Sequence, residues 1–125
     1  GHLGVLPQSA KSFKFKGKKL IERNKILKEA KLLEGAGVFS MVLECVESSL
    51  AKLITKEIRI PTIGIGASSN CDGQVLVTDD LTGLNSINVR FVKRYSNLRK
   101  IIERAVIDYK KEVKNLEFPK KKHSF

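Results

Sequence analysis

A nearly continuous run of apolar residues occupies positions 38–46 and carries one carboxylate, Glu44, close to its end. A strand that is buried on both faces has this appearance, and such strands belong to parallel sheets covered by helices. Amphipathic helical patterns precede and follow the run. We therefore predict a buried parallel strand over residues 39–44, with Glu44 at the end where the strand leaves the sheet.

The rest of the chain alternates between helical and strand patterns. Apolar residues recur at helical spacing over residues 18–34, 48–57 and 98–114, and Pro7 favours a short helix over residues 8–13. Ser48 or Ser49 is the predicted N-cap of the helix at 48–57. Strands are predicted at the extreme N-terminus, at residues 60–67 and at residues 90–95. The stripe of apolar residues on the last helix is the clearest of these patterns.

The segment Val75-Leu76-Val77 has the composition of a strand, but topology argues against one. Only residues 68–73 separate it from the preceding strand, whereas a parallel neighbour needs a crossover of about a dozen residues or more. We therefore assign residues 74–84 to a crossover helix, with Asp72 near its N-cap and Gly83 near its end.

These elements amount to an α/β chain with the strands and helices of half a barrel. A complete (β/α)8 barrel takes about 250 residues, and this chain has 125. We expect residues 1–119 to form half of such a barrel and residues 120–125 to be a basic tail. The chain begins Gly-His rather than with methionine, which suggests a processed chain or a piece of a longer one.

The formal net charge of +11 raises the question of a nucleic-acid partner. The lysines are scattered over helix faces and both ends, without interleaved aromatic residues that could stack on bases. We therefore expect a lysine-rich solvated surface and no nucleic-acid partner. The chain has no apolar run long enough for a membrane helix, and its two cysteines lack metal-ligand spacing. We expect a cytoplasmic protein without a membrane partner.

Glu44 and His2 are the candidate catalytic side chains. The C-terminal ends of parallel strands are where such folds place their chemistry, and this favours a catalytic Glu44. The alternatives are that Glu44 caps the next helix or pairs with a lysine. His2 has three readings: a ligand, an acid–base group or a hydrogen-bonded loop residue. Gly64 and Gly66 permit close approach of a backbone or ligand, but form only a weak phosphate-loop signal.

Taken together, several segments resemble the ketopantoate hydroxymethyltransferase family in order and spacing, over nearly the whole chain. They are Gly1-His2-Leu3-Gly4 with Pro7-Gln8, Val42-Leu43-Glu44-Cys45-Val46, residues 60–67, Asp72-Gly73-Gln74-Val75-Leu76-Val77, Phe91-Val92-Lys93-Arg94-Tyr95, and Phe118-Pro119 with His123-Ser124-Phe125. The chain departs from the usual family pattern at Leu6, Glu47, Ser68 and Asp79.

The resemblance implies a (β/α)8 barrel, with residues 1–119 as its C-terminal half. It also implies that the enzyme transfers a hydroxymethyl group from 5,10-methylenetetrahydrofolate to 3-methyl-2-oxobutanoate, giving 2-dehydropantoate in pantothenate biosynthesis. It implies Glu44 as the proton acceptor and His2 as a supporting contact. It also implies Mg2+, with its ligands in the N-terminal half, so no residue of this chain is assigned as a metal ligand. The family forms homo-oligomers, and we expect the isolated half to be inactive.

Two rival hypotheses remain open at this point. One is another Mg2+-dependent, enolate-forming barrel enzyme of the phosphoenolpyruvate and isocitrate lyase type. The other is a non-catalytic binding module that uses the basic surface.

Overall fold

The computed structural model describes residues 1–6 and 14–125, so the helix predicted at residues 8–13 lies outside the described residues. In chain order the elements are β1 (His2–Gly4), α1 (Leu20–Gly35), β2 (Met41–Glu44), α2 (Ser48–Glu57), β3 (Thr62–Ile65), β4 (Gly73–Gln74), α3 (Thr78–Thr82), α4 (Leu98–Lys114) and a 3-10 helix (Lys121–His123). These elements divide between two compact units. The first comprises Gly1–Leu76 with Val89–Val92, and the second comprises Val77–Asn88 with Lys93–Phe125.

The first unit is built on a four-stranded sheet in the order β1-β2-β3-β4. Every neighbouring pair is parallel, and Gly4, Glu44 and Ile65 stand in register across the first three strands. The carboxyl ends of these strands therefore meet at one edge. Parallel strands joined through helices make this an α/β chain, as the sequence predicts.

The two faces of this sheet differ in burial. Leu3, Met41, Leu43 and Thr62 are buried on one face, where the apolar side chains of α1 and α2 complete the core. The residues that alternate with them are mostly only half-buried. β2 is consequently not buried on both faces as predicted, and it begins two residues later, because Phe39 is 89% exposed.

The predicted crossover helix at residues 74–84 is wrong. Gly73–Gln74 forms β4, which pairs in parallel with β3, and the only helix in the region is the five-residue α3. Side-chain hydrogen bonds hold the short connection between β3 and β4. Asp72 accepts hydrogen bonds from the Thr62 backbone N–H and hydroxyl, at 2.8 and 2.9 Å, and Gln74 Nε2 donates to the Ser68 carbonyl at 2.8 Å. Asp72 therefore anchors a loop and does not cap a helix.

The strand predicted at residues 90–95 is also wrong. This segment contains a turn, in which the Val92 N–H donates to the Val89 carbonyl, and the boundary between the two units falls after Val92. Three of its six residues, Arg90, Lys93 and Arg94, are cationic. Such charge opposes burial in a parallel sheet, so β propensity alone does not make this segment a strand.

The prediction of the last helix is confirmed, since α4 spans Leu98–Lys114. The Asn97 side chain caps it by accepting from the Lys100 N–H. No residue of α4 is buried, and its apolar stripe is open, with Ile101 62% and Val106 58% exposed. Beyond it, the segment expected to be a basic tail contains the 3-10 helix, and His123 lies against the Phe118 ring.

In the described part of the chain, no helix is both long enough and apolar enough to cross a membrane.

The N-cap of α2 is the side chain of Glu47, and not Ser48 or Ser49 as predicted. Its carboxylate accepts from the N–H groups of Ser49 and Leu50 at 3.1 and 3.0 Å and contacts Arg23 Nη1 at 3.1 Å. Hydrogen bonds from Ser49, supported by those from Leu50 and Arg23, lower the Glu47 pKa from 4.5 to about 2. The charged carboxylate therefore holds the start of α2.

Because this pKa is lower in the folded chain, the stabilisation by Glu47 is complete above pH 4.5 and is lost as the pH falls towards 2. We expect Glu47→Gln to lower the free energy of unfolding at pH 7 by about 1 kcal/mol. Urea unfolding measured at pH 7 and pH 3 should show a smaller difference for the variant than for the wild type. Glu29→Gln removes an exposed partner of Lys25 and should change neither value appreciably. An equal loss from both variants would contradict the capping role.

Gly4 is predicted to be indispensable for the pairing of β1 with β2. Its φ is +100°, and a Cβ there would overlap the Glu44 carbonyl oxygen and lie 2.8 Å from Val46 Cγ2. We expect Gly4→Ala to lower the free energy of unfolding by about 2–4 kcal/mol, measured by urea titration. Gly35→Ala is the matched control, since a Cβ at Gly35 meets nothing within 4 Å. A Gly4→Ala variant as stable as Gly35→Ala would refute the close approach.

Candidate functional site

Glu44 is the last residue of β2, at the edge where the carboxyl ends of the strands meet. Its backbone is fixed from both sides, because the Val5 N–H donates to its carbonyl and Glu44 itself stands in register with Gly4 and Ile65. The residue is only 6% exposed. A buried carboxylate requires a polar partner, since burial removes the water that would otherwise solvate it.

His2 provides that partner. In β1 it stands in register with Val42, and because side chains alternate along a strand, His2 and Glu44 emerge on the same face of the sheet. His2 Nε2 lies 3.1 Å from Glu44 Oε2, which is ion-pair distance. The ring is not turned for a well-directed hydrogen bond, and Nε2 is buried with no other partner in the described part of the chain. The two predicted site residues are thus brought together.

The described residues do not support the alternatives that Glu44 caps the next helix or pairs with a lysine. The helix that follows is capped by Glu47, and within residues 1–6 and 14–125 the side chain at ion-pair distance from Glu44 is a histidine and not a lysine. His2 belongs to a strand and contacts a buried carboxylate, so it is more than a hydrogen-bonded loop residue.

Cys45 is a part of the site that sequence reasoning missed. Its φ of +50° is unusual for a residue with a side chain, and its N–H donates to the Ile65 carbonyl at 2.8 Å. The thiol is buried, and burial together with the neighbouring Glu44 carboxylate raises its pKa. Cys45 therefore stays protonated at neutral pH. Its left-handed backbone turns the chain out of the sheet directly after Glu44.

Beyond this turn lies an open groove of about 750 Å3. Its walls come from the segments that follow β2 and β3, together with Phe15, Gln74, Arg90 and Phe91. Phe91 lies against Gly66, where a Cβ would be only 2.7 Å from Phe91 Cγ. The group that approaches Gly66 is thus an aromatic side chain, and not the backbone or ligand that the sequence suggested. The sequence assigned Arg90 and Phe91 to a strand, and no motif marks them as groove residues.

No group of three or more His, Cys, Asp or Glu residues within residues 1–6 and 14–125 is arranged to hold a metal ion. The described residues therefore do not by themselves fit an Mg2+ site, which requires several oxygen ligands around one point.

Comparison with known proteins gives a consistent result. The family model described as "Ketopantoate hydroxymethyltransferase" matches residues 1–121. A protein of Pelagibacter ubique (strain HTCC1062) is 69% identical over 125 residues, covering 100% of this chain and 49% of its own length. Proteins of Leptospira interrogans (serovar Lai) and Carboxydothermus hydrogenoformans are 50% and 49% identical over 129 residues, covering all of this chain and 49% and 47% of their own lengths.

All three relatives are named 3-methyl-2-oxobutanoate hydroxymethyltransferase. The chain spans about half the length of these curated relatives. A parallel sheet with helices on one face is what half of a (β/α)8 barrel contains. Because the family model extends over nearly all of its residues, this chain belongs to the ketopantoate hydroxymethyltransferase family, whose members are transferases.

Proposed function

We propose that this chain forms the C-terminal half of a 3-methyl-2-oxobutanoate hydroxymethyltransferase, with Glu44 as the proton acceptor. The complete enzyme transfers a hydroxymethyl group from 5,10-methylenetetrahydrofolate to 3-methyl-2-oxobutanoate and yields 2-dehydropantoate for pantothenate biosynthesis. The observation that carries the proposal is the buried Glu44 carboxylate at the carboxyl edge of the sheet, 3.1 Å from His2. We further propose that the enzyme is cytoplasmic and homo-oligomeric.

The difficult step of this reaction is removal of the proton from C3, the carbon next to the ketone. Glu44 accepts this proton, and the electron pair of the broken C–H bond moves into the enolate. A general base of this kind contributes about 10²–10⁴-fold to the rate. The sheet fixes the backbone of Glu44 on both sides, so that its carboxylate is held in place before the substrate arrives.

His2 is a positioning residue in this scheme. Its Nε2 lies 3.1 Å from Glu44 Oε2 and so limits the orientations that the carboxylate can take. After deprotonation, C3 forms a carbon–carbon bond with the one-carbon unit of the folate. Water supplies the oxygen of the new hydroxyl group, and tetrahydrofolate leaves.

Mg2+ is implied by the family resemblance, but the described residues contain no cluster that fits it. We propose that its ligands belong to the part of the enzyme that this chain does not span. The match over residues 1–121 favours this family over another enolate-forming barrel and over a basic binding module.

The role of Glu44 can be tested in a hybrid in which this chain follows the N-terminal half of the Pelagibacter ubique relative. Exchange of the C3 proton of 3-methyl-2-oxobutanoate in deuterated water, followed by NMR, reports the first step without folate. We expect Glu44→Gln to slow this exchange and the complete reaction by about 10²–10⁴-fold, because the base is lost.

Glu57→Gln is the control for Glu44→Gln, since it removes an exposed carboxylate that pairs with Lys31. It should leave both rates unchanged. Undiminished exchange in Glu44→Gln would contradict its assignment as the base. A folded hybrid that neither exchanges the proton nor forms 2-dehydropantoate would contradict the proposed function itself.

His2 should affect the rate through the orientation of Glu44. We expect His2→Leu to slow exchange and turnover by the same factor, about ten- to a hundredfold, with an unchanged KM for the folate. His2→Asn keeps a hydrogen-bonding group and should recover part of the rate. A loss confined to the KM for the folate would show that His2 acts on the co-substrate and not on Glu44.

The 125-residue chain alone should be inactive in both assays, because its described residues contain no cluster of ligands that could hold Mg2+. Measurable turnover by the chain without the N-terminal half would contradict the assignment of the Mg2+ ligands.

A further inference from the structure

The groove beyond Cys45 has features that removal of a proton from a small keto acid does not use. It is about 750 Å3, within the range that holds drug-sized ligands, whereas 3-methyl-2-oxobutanoate is much smaller. Two aromatic side chains, Phe15 and Phe91, belong to its walls. Phe15 is half-exposed, so an aromatic surface is open for contact with a flat ligand.

The groove also offers polar groups that are available for binding. Arg90, Ser48 and Ser69, whose side chains carry a guanidinium and two hydroxyls, are among the residues that line it. None of these three groups has a hydrogen-bond or ion-pair partner in the described part of the chain. A planar guanidinium with free donors is suited to a carboxylate, which it can bind through two parallel hydrogen bonds.

One negative charge, Glu47, also lines the groove. Its carboxylate is already occupied by the N–H groups at the start of α2 and by Arg23, at 3.1 Å. These bonds stabilise the charged form, as its pKa of about 2 indicates. Since its charge is compensated locally, Glu47 leaves Arg90 available for an anionic ligand.

The groove begins one residue beyond Glu44, since Cys45 is part of its wall. Cys45, Val46, Glu47 and Ser48 line it, and they follow Glu44 directly along the chain. A long ligand can therefore extend from the edge of the sheet at Glu44 into the groove. Folate has a suitable shape, because its reactive ring system continues into a p-aminobenzoyl ring and then into a glutamate with two carboxylates.

We propose that this groove binds the p-aminobenzoylglutamate part of the folate co-substrate, with Arg90 pairing with a glutamate carboxylate and the aromatic side chains contacting the p-aminobenzoyl ring. This inference rests on the proposed function for the identity of the ligand. It assigns a role in co-substrate binding to Arg90 and Phe91, apart from the proton transfer at Glu44.

The test uses the same hybrid and p-aminobenzoylglutamate as the probe, with affinity measured by isothermal titration calorimetry. We expect Arg90→Gln to weaken binding about tenfold and Arg90→Lys to weaken it less, because lysine keeps the charge but loses the planar fork. p-Aminobenzamide, which lacks the glutamate, should bind the wild type and Arg90→Gln equally. Arg90 is exposed, so its exchange leaves the core intact.

Arg59→Gln is the matched control, because Arg59 is an exposed arginine before the opposite, N-terminal end of β3. It should not change the affinity for p-aminobenzoylglutamate. An equal loss in both variants would overturn the proposal in favour of general charge attraction, and no loss in Arg90→Gln would overturn it outright.

The two proposals fail in distinguishable ways. C3 proton exchange requires no folate, so exchange that depends on Glu44, combined with probe binding that is independent of Arg90, overturns only the groove. Probe binding that depends on Arg90 without any C3 exchange supports the groove and overturns the function assigned to Glu44.

Discussion

The parallel pairing of β1 with β2 is the contact on which the candidate site depends. It places His2 two positions before the register of Glu44 and on the same face, so that the two side chains meet at 3.1 Å. The pairing is possible because Gly4 lacks a Cβ, which lets its backbone approach the Glu44 carbonyl. A slip by one residue would send His2 to the opposite face, where the helices pack. The register of β1 against β2 therefore determines whether His2 and Glu44 can meet.

The distribution of apolar surface agrees with a chain that spans half of its relatives. Helices α1 and α2 bury one face of the sheet, while Val42, Ile63 and Ile65 on the other face are only half-buried. The stripe on α4 is open as well. A barrel buries the inner face of its sheet by closing on itself, and four strands do not close one. The described residues thus expose apolar surface of the kind that the rest of a barrel covers.

Local patterns predicted the elements that depend on local physics. The stripe of α4, the apolar positions of α2 and the position of Glu44 at a strand end follow from periodicity and propensity. Only the family resemblance assigned His2 to the site. Local patterns could not predict its contact with Glu44, because the two residues lie 42 positions apart. Sequence alone did not show that Glu47, rather than a serine, caps α2. The Glu47 carboxylate accepts from the N–H groups that a serine cap would satisfy, and its charge gains from the helix dipole.

The wrong prediction of a crossover helix at residues 74–84 has an identifiable physical origin. The general rule that a parallel neighbour needs a helical crossover fails where side chains fold the connection back on itself. Here Asp72 binds Thr62, and Gln74 reaches the Ser68 carbonyl, so Gly73 and Gln74 return beside β3 without a helix. Ser68, a departure from the family pattern, supplies a hydroxyl that accepts from the Asn70 N–H.

This same folded loop forms much of the groove. Gly66, Ala67, Ser68 and Ser69 lie along its wall, and the φ of +62° at Gly66 leaves room for Phe91. The polar contacts that fold this connection back therefore also shape part of the groove, which begins one residue beyond Glu44, the proposed proton acceptor. A groove of about 750 Å3 is larger than a small keto acid needs, which agrees with the proposal that a second, larger substrate binds there.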